Sequence, residues 1–203
     1  MEIVLATSNP HKVEEINAIT EPYGITFILP PKEFNPIENG EDFESNSLIK
    51  AIAAYDLTHK PTLADDSGLC VNFLNGEPGI YSARYAETPQ KRIDKLLHNM
   101  KDAKDRRAKF VCAMTLLDKK GNVAGIVTGE CNGQIALEQK GSNGFGYDPI
   151  FVVDKTVLLW QNYPKQIKTI FLTVQMRLDR FWKLLRKILH HYSLFSVWSN
   201  TYY

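Results

Sequence analysis

The chain has 203 residues, 44% hydrophobic and 23% charged, with a formal net charge of +1 at pH 7. That length and balance fit one domain with a core and exclude a disordered or fibrous protein. The near-neutral total excludes a global pull toward nucleic acid or a membrane surface, and no apolar run approaches the roughly 18 residues of a membrane span.

Three cysteines, Cys70, Cys112 and Cys131, are widely spaced and form no C-x-x-C pair. A zinc site is therefore not expected, and a reduced, cytoplasmic compartment fits best. Met1 to Asn9 turns polar too soon for a secretory leader. The charge is unevenly spread. Residues 1–155 hold 17 Lys and Arg against 22 Asp and Glu, whereas residues 156–203 hold seven basic residues and one acid, Asp179.

Glu2–Ala6 reads as a buried strand. Ser8 or Asn9 caps a helix, Pro10 suits its first turn, and Val13, Ile16 and Ile19 recur at helical spacing. Thr26–Leu29 is a second strand, and Pro30 to Asp42 is a polar loop. Phe43 to Leu57 is a helix with Leu48, Ile49, Ile52 and Ala53 on one face. Pro61–Ala64 is a short strand ending in Asp65-Asp66-Ser67-Gly68, followed by a strand over Leu69–Phe73 and a turn at Asn75-Gly76. Thr88-Pro89 opens a helix running to about Met100. Lys109–Leu117 and Asn122–Glu130 form a hairpin. Gly133–Leu137 adds a strand, Gly141 to Tyr147 is a glycine-bearing loop, and Pro149–Val153 is a last strand. The class is α/β with a mixed sheet.

Three stretches carry groups suited to chemistry. Thr7-Ser8-Asn9-Pro10-His11-Lys12 places hydroxyls, an amide and an ammonium at a helix start, where backbone N–H groups favour an anion; an ordinary cap with a solvated lysine is the alternative. Asp65 and Asp66 are adjacent carboxylates that point to opposite sides if extended, fit to bind Mg²⁺ or to take a proton from water; a polar turn is the alternative. Glu44 and Lys50, on the 43–57 helix, add a candidate metal ligand and a candidate phosphate contact. In Gly144-Phe145-Gly146-Tyr147-Asp148-Pro149, glycines let the backbone approach a ligand and present a ring able to stack on a base.

Together these stretches resemble the inosine triphosphate pyrophosphatase family, the XTP/dITP pyrophosphatases. The matching segments are Leu5-Ala6-Thr7-Ser8-Asn9 with Lys12 and Glu15, Asn46 with Lys50-Ala51, Ala64-Asp65-Asp66-Ser67-Gly68-Leu69, Pro78 to Tyr85, and Gly144 to Phe151, in the family's order across residues 1–153. The resemblance implies an elongated mixed sheet with flanking helices, two lobes around a central cleft, and a homodimer. It implies Mg²⁺-dependent hydrolysis of ITP, dITP or XTP to monophosphate and pyrophosphate, which cleans the nucleotide pool. Carried over, Thr7, Asn9 and Lys12 hold the triphosphate and Lys50 adds charge. Asp65 and Asp66 supply a metal ligand and the base, in an order the sequence leaves open. Phe145 stacks on the purine with Asp148 beside it. Ser8, Ser67, Gly146 and Tyr147 fall in the same motifs as substrate contacts, and Ser82 and Arg84 lie in a motif near the cleft.

Two departures stand out. Many family members carry Glu just before the motif Asn, where this chain has Ser45, with Glu44 one residue off. The family's ending, with a Ser-His-Arg that helps read the 6-oxo purine, is also missing from residues 156–203. That tail holds all three tryptophans, no glycine and no glutamate. Written in degenerate codons and read one base out of phase, Val157 to Arg186 admits F-A-V-A-E-L-P-K-A-N-K-N-D-I-S-H-R-A-N-A-L-R-P-V-L-E-I-I. The Ser-His-Arg comes from Phe171-Leu172-Thr173-Val174. The expectation is a pyrophosphatase domain over 1–155 and an out-of-frame basic, aromatic tail over 156–203. Its Leu178, Phe181, Trp182, Leu185, Ile188 and Leu189 also mimic one face of an amphipathic helix. An inactive or unselective nucleotide binder is the alternative function.

Overall fold

The computed structural model describes residues 1–141 and 146–153. Among them lie six strands in one mixed sheet of order β2-β1-β3-β4-β5-β6. The strands are β1 (Glu2–Leu5), β2 (Thr26–Ile28), β3 (Thr62–Val71), β4 (Arg107–Leu117), β5 (Val123–Ile135) and β6 (Phe151–Val153). β1 runs parallel to β2 and β3, and the rest of the ladder is antiparallel. The proposed tail lies outside the described residues, as does Phe145. No described helix is long and apolar enough to cross a membrane.

Three α-helices flank the sheet among the described residues: α1 (Pro10–Thr20), α2 (Phe43–Thr58) and α3 (Pro89–Asn99). Each starts on a capping side chain. Asn9 Oδ1 accepts from the His11 amide at 3.0 Å, Asp42 Oδ1 from Ser45 at 2.7 Å, and Thr88 Oγ1 from Lys91 at 3.2 Å. These bonds satisfy donors that a helix start cannot satisfy internally.

Alternation along β1 sends its side chains to two helices. Ile3 and Leu5 pack on the face covered by Val13 and Ile16 of α1, while Val4 and Ala6 pack with Ala51 and Ala54 of α2. The Asn17 side chain on α1 exchanges two hydrogen bonds with the Phe27 backbone, at 2.6 and 2.9 Å. α2 is pinned from below by a buried hydroxyl pair, Ser47 Oγ to Thr115 Oγ1 at 2.6 Å. A separate core forms at the far end of the long strands, where Leu69, Val71 and Phe151 meet Ile93 and Leu96 of α3. The expected elongated mixed sheet with flanking helices is thus present, with one core cluster at the α3 end of the β3–β4–β5 ladder and two, on opposite faces of the sheet, at the β1 end.

The structure corrects the sequence reading at the centre. Asp65-Asp66-Ser67-Gly68 is not a turn between two short strands. β3 runs straight through it, and β4 pairs with every residue from Thr62 to Val71. Likewise Gly133 continues β5 rather than starting a new strand. Continuity at Gly68 depends on its missing side chain. A Cβ there would lie 2.3 Å from the Gly79 carbonyl, 2.6 Å from Ser82 Oγ and 2.9 Å from the Phe43 ring. Gly68→Ala forces backbone apart in a packed region, so it should cost about 1–3 kcal/mol of stability, read as a lower urea midpoint at unchanged slope.

Candidate active site

β1 and β3 pair only briefly. Their registered partners are Val4 with Thr62 and Leu5 with Leu63, and the Ala6 amide still donates to the Leu63 carbonyl at 2.8 Å. The chain then turns away through Thr7, Ser8 and Asn9 into α1. Further along the same edge, the short 3-10 helix Gly79–Arg84 closes in, and the Leu69 amide donates to Ser82 Oγ at 2.8 Å. Between these two seals no strand among the described residues neighbours the edge of β3. Backbone groups of alternate residues share an edge, so those of Asp65 and Ser67 face this gap. A crevice where adjacent strands part, beyond the carboxyl end of β1, is where α/β sheets bind ligands.

Two ion pairs flank the gap from opposite faces of β3. On the α1 face, Lys12 Nζ donates to both oxygens of Asp65, at 2.7 and 3.0 Å. On the α2 face, Lys50 Nζ donates to Asp66 Oδ1 at 3.0 Å and lies 3.5 Å from Glu38 Oε1. The adjacent aspartates therefore point apart, as an extended chain requires.

Their environments differ. Burial pushes the Asp65 carboxyl up, but Lys12, with help from Lys50 and Ser67, outweighs it and holds the pKa below the ordinary value. Asp65 in turn raises the Lys12 ammonium. For Asp66, burial wins over Lys50, Glu38 pushes the same way, and its pKa is raised. Asp66 Oδ2 is buried without a hydrogen-bond partner. Beneath Asp65, burial first and then the Asp65 charge push the Cys112 thiol up to about 12, so that cysteine is a packing residue rather than a nucleophile.

The other expected site residues divide. Thr7 Oγ1 accepts from the Asn9 amide at 3.2 Å, and Asn9 Oδ1 caps α1. Ser8 and Ser67 are exposed at the gap, with Ser67 Oγ 3.4 Å from Asp65 Oδ2. Gly146 has φ 59°, a left-handed value natural to glycine. Tyr147 and Asp148 are buried, and the Tyr147 hydroxyl donates to the Ser82 carbonyl at 3.1 Å. They support the segment that closes the gap.

Glu44 is placed elsewhere. Its Oε1 accepts from Thr128 Oγ1 at 2.6 Å. Thr128 lies in the row Asp66, Ala113, Thr128 across three strands, about 10 Å from the aspartate. The acid that reaches Lys50 and Asp66 is Glu38, which the sequence reading missed. Its signal was weak: one acid in an irregular loop just ahead of the Asp42 cap.

These residues fit a divalent cation. Two carboxylates, Glu38 and Asp66, converge on one ammonium, that of Lys50. No cluster of three His, Cys, Asp or Glu suited to a metal occurs among the described residues.

A model described as the Ham1 family matches residues 3–168. The chain belongs to the Ham1 family. A dITP/XTP pyrophosphatase of Treponema denticola is 45% identical over 165 residues, covering 76% of this chain and 83% of that protein. One from Legionella pneumophila (strain Paris) is 42% identical over 176 residues, covering 82% and 89%. The solved HAM1 protein of Coxiella burnetii superposes with a TM-score of 0.81 at 35% identity, covering 92% of this chain and 99% of its own. The Ham1 protein of Staphylococcus aureus gives 0.77 at 35% identity, covering 94% and 98%.

The depressed Asp65 pKa makes its pairing a stabilising interaction only while the carboxyl is ionised. That contribution is present above the unfolded carboxylate range near about pH 4 and is lost as pH falls through the lower folded pKa. The raised Lys12 pKa sets the opposite limit, at alkaline pH. Lys12→Met should therefore lower stability near neutral pH in metal-free protein, and urea titrations should show the difference from the native chain shrinking on acidification.

Proposed function

We propose that this Ham1-family chain hydrolyses deaminated purine nucleoside triphosphates, ITP, dITP and XTP, to monophosphate and pyrophosphate. The observation that carries the reading is the pair of Lys–Asp contacts on the two faces of one strand edge, Lys12–Asp65 and Lys50–Asp66, open to a crevice between two helix-bearing faces. A triphosphate brings several negative charges into such a gap, and cleavage moves charge onto the leaving pyrophosphate. Two lysines reaching in from opposite sides stabilise that charge. The names of the relatives from Treponema denticola and Legionella pneumophila support the substrate class.

Asp66 is the proposed proton acceptor. Its Oδ2 has no competing partner, and burial raises its basicity, as a general base needs. Asp65 has both oxygens occupied by Lys12, and its part is to set that lysine. The water oxygen attacks the α-phosphorus, the bond to the bridging oxygen of pyrophosphate breaks, and the water proton passes to Asp66. Glu38 and Asp66 would hold Mg²⁺, Asp66 through the Oδ1 on the Lys50 side so that Oδ2 stays free for the proton; the Glu44 expected from sequence is bonded to Thr128. When bound, the ion supplies a Lewis acid that neutralises phosphate charge. Thr7, Ser8, Asn9 and Ser67 are the proposed phosphate contacts, and Phe145, Gly146, Tyr147 and Asp148 the proposed base contacts. The same reading makes the protein a cytoplasmic homodimer with no nucleic-acid or membrane partner, checked by light scattering and fractionation.

Residues 156–203 are proposed to be an out-of-frame ending of a domain spanning 1–155. The second functional reading, a nucleotide binder without activity or selectivity, follows from the Ser-His-Arg missing there. Sequencing the gene across Thr156 decides the frame.

Pyrophosphate release with Mg²⁺ from ITP and from ATP at equal concentration tests the activity. The expected result is release from ITP well above ATP. Binding of both nucleotides with no release from either would favour the second reading. Asp66→Asn should lower kcat by roughly 10²–10⁴-fold, while release unaffected by it would remove Asp66 from the chemistry.

A further inference from the structure

Glu38 sits in the loop between β2 and α2, a stretch without regular structure from residue 33 to residue 40 apart from a turn. Something other than a ladder must hold it against Lys50 and Asp66. One side chain is placed to do so. Asn46, on the first turns of α2, is fully buried. Its Oδ1 accepts from the Gly40 amide at 2.9 Å, two residues after Glu38. The loop presses so close there that a Cβ on Gly40 would lie 2.8 Å from Asn46 Oδ1, 2.9 Å from the Asn46 nitrogen and 2.7 Å from Ser45 Cβ.

The same amide has a second direction. With Oδ1 fixed by Gly40, Nδ2 is turned the other way; it is buried and, among the described residues, makes no hydrogen bond. Lys50 follows Asn46 by one helical turn and shares its face. Asn46 therefore lies between the loop that carries Glu38 and the strand that carries Asp66.

We propose that Asn46 is a positioning residue that ties the Gly40 loop to α2 and so holds Glu38 beside Asp66 as a two-carboxylate cation site. The proposal rests on the metal reading above. Oδ1 supplies the acceptor that the Gly40 amide needs. Asn46→Ala removes that acceptor. Asn46→Asp keeps one for Gly40.

The test is Mn²⁺ binding to the nucleotide-free chain by electron paramagnetic resonance, with Gly40 amide exchange measured in parallel. Asn46→Ala should speed Gly40 exchange at least about tenfold and weaken Mn²⁺ binding by a similar factor. Asn46→Asp, a second variant should Asn46→Ala fold poorly, should keep Gly40 protected. Glu38→Gln should weaken Mn²⁺ binding by itself, and Asn46→Ala added to it should weaken binding little further, since both act on one ligand. Undiminished Mn²⁺ binding in Asn46→Ala, or full additivity with Glu38→Gln, would overturn the proposal while leaving the metal reading intact. A native chain that binds no Mn²⁺ would overturn both.

Discussion

The site depends on one topological constraint: β1 is too short to cover β3. Its pairing ends at Leu63, and from there β3 continues for eight more residues with β4 on one side only. The open edge is not left open throughout. Ser82 answers the Leu69 amide, and the Glu77 carbonyl answers that of Val71 at 3.1 Å. What remains is a window over Asp65, Asp66 and Ser67. Unpaired sheet edge is normally a liability; here it is short, rimmed by charge and placed between the two ends of the ladder, each with its own core.

Strand geometry then assigns the charges. Successive residues face opposite ways, so two adjacent aspartates serve two environments. Asp65 meets the lysine of α1, and Asp66 meets the lysine of α2. The difference in their ionisation follows from what surrounds each. Asp65 has an ammonium on both oxygens, which overcomes burial. Asp66 shares its lysine with Glu38 and keeps one oxygen unpartnered in a buried place, so burial prevails. A buried carboxylate with one oxygen unsatisfied is costly, and such a cost at a crevice is a mark of a functional group.

Much of this was legible in the chain. The helix expected over 43–57 showed its period, the hairpin expected over 109–130 its turn at Asp118-Lys119-Lys120-Gly121, and the α1 start its Asn9-Pro10. The stretches holding Lys12, Lys50 and Asp65-Asp66 meet at one gap. Two things were not legible. The run Asp65-Asp66-Ser67-Gly68 has turn composition, and local propensity could not show that β4 pairs with every residue of it or that Gly68 is there to admit Gly79 and Ser82. Glu38 lies in a loop without periodicity, and its proximity to Lys50 arises from the fold of that loop against Asn46. Glu44 looked the better candidate because helix register places it near the site, but Thr128 on β5 claims its carboxylate.

The account stands on the window in β3 as the seat of a triphosphate. The most direct test is a crystal structure of the chain with Mg²⁺ and a non-hydrolysable inosine triphosphate analogue. The account predicts phosphates in the gap between Leu63 and Leu69, contacted by Lys12 from one face and Lys50 from the other, with Glu38 and Asp66 on the ion. Phosphates bound away from that edge, or on one lysine alone with the ion elsewhere, would contradict it.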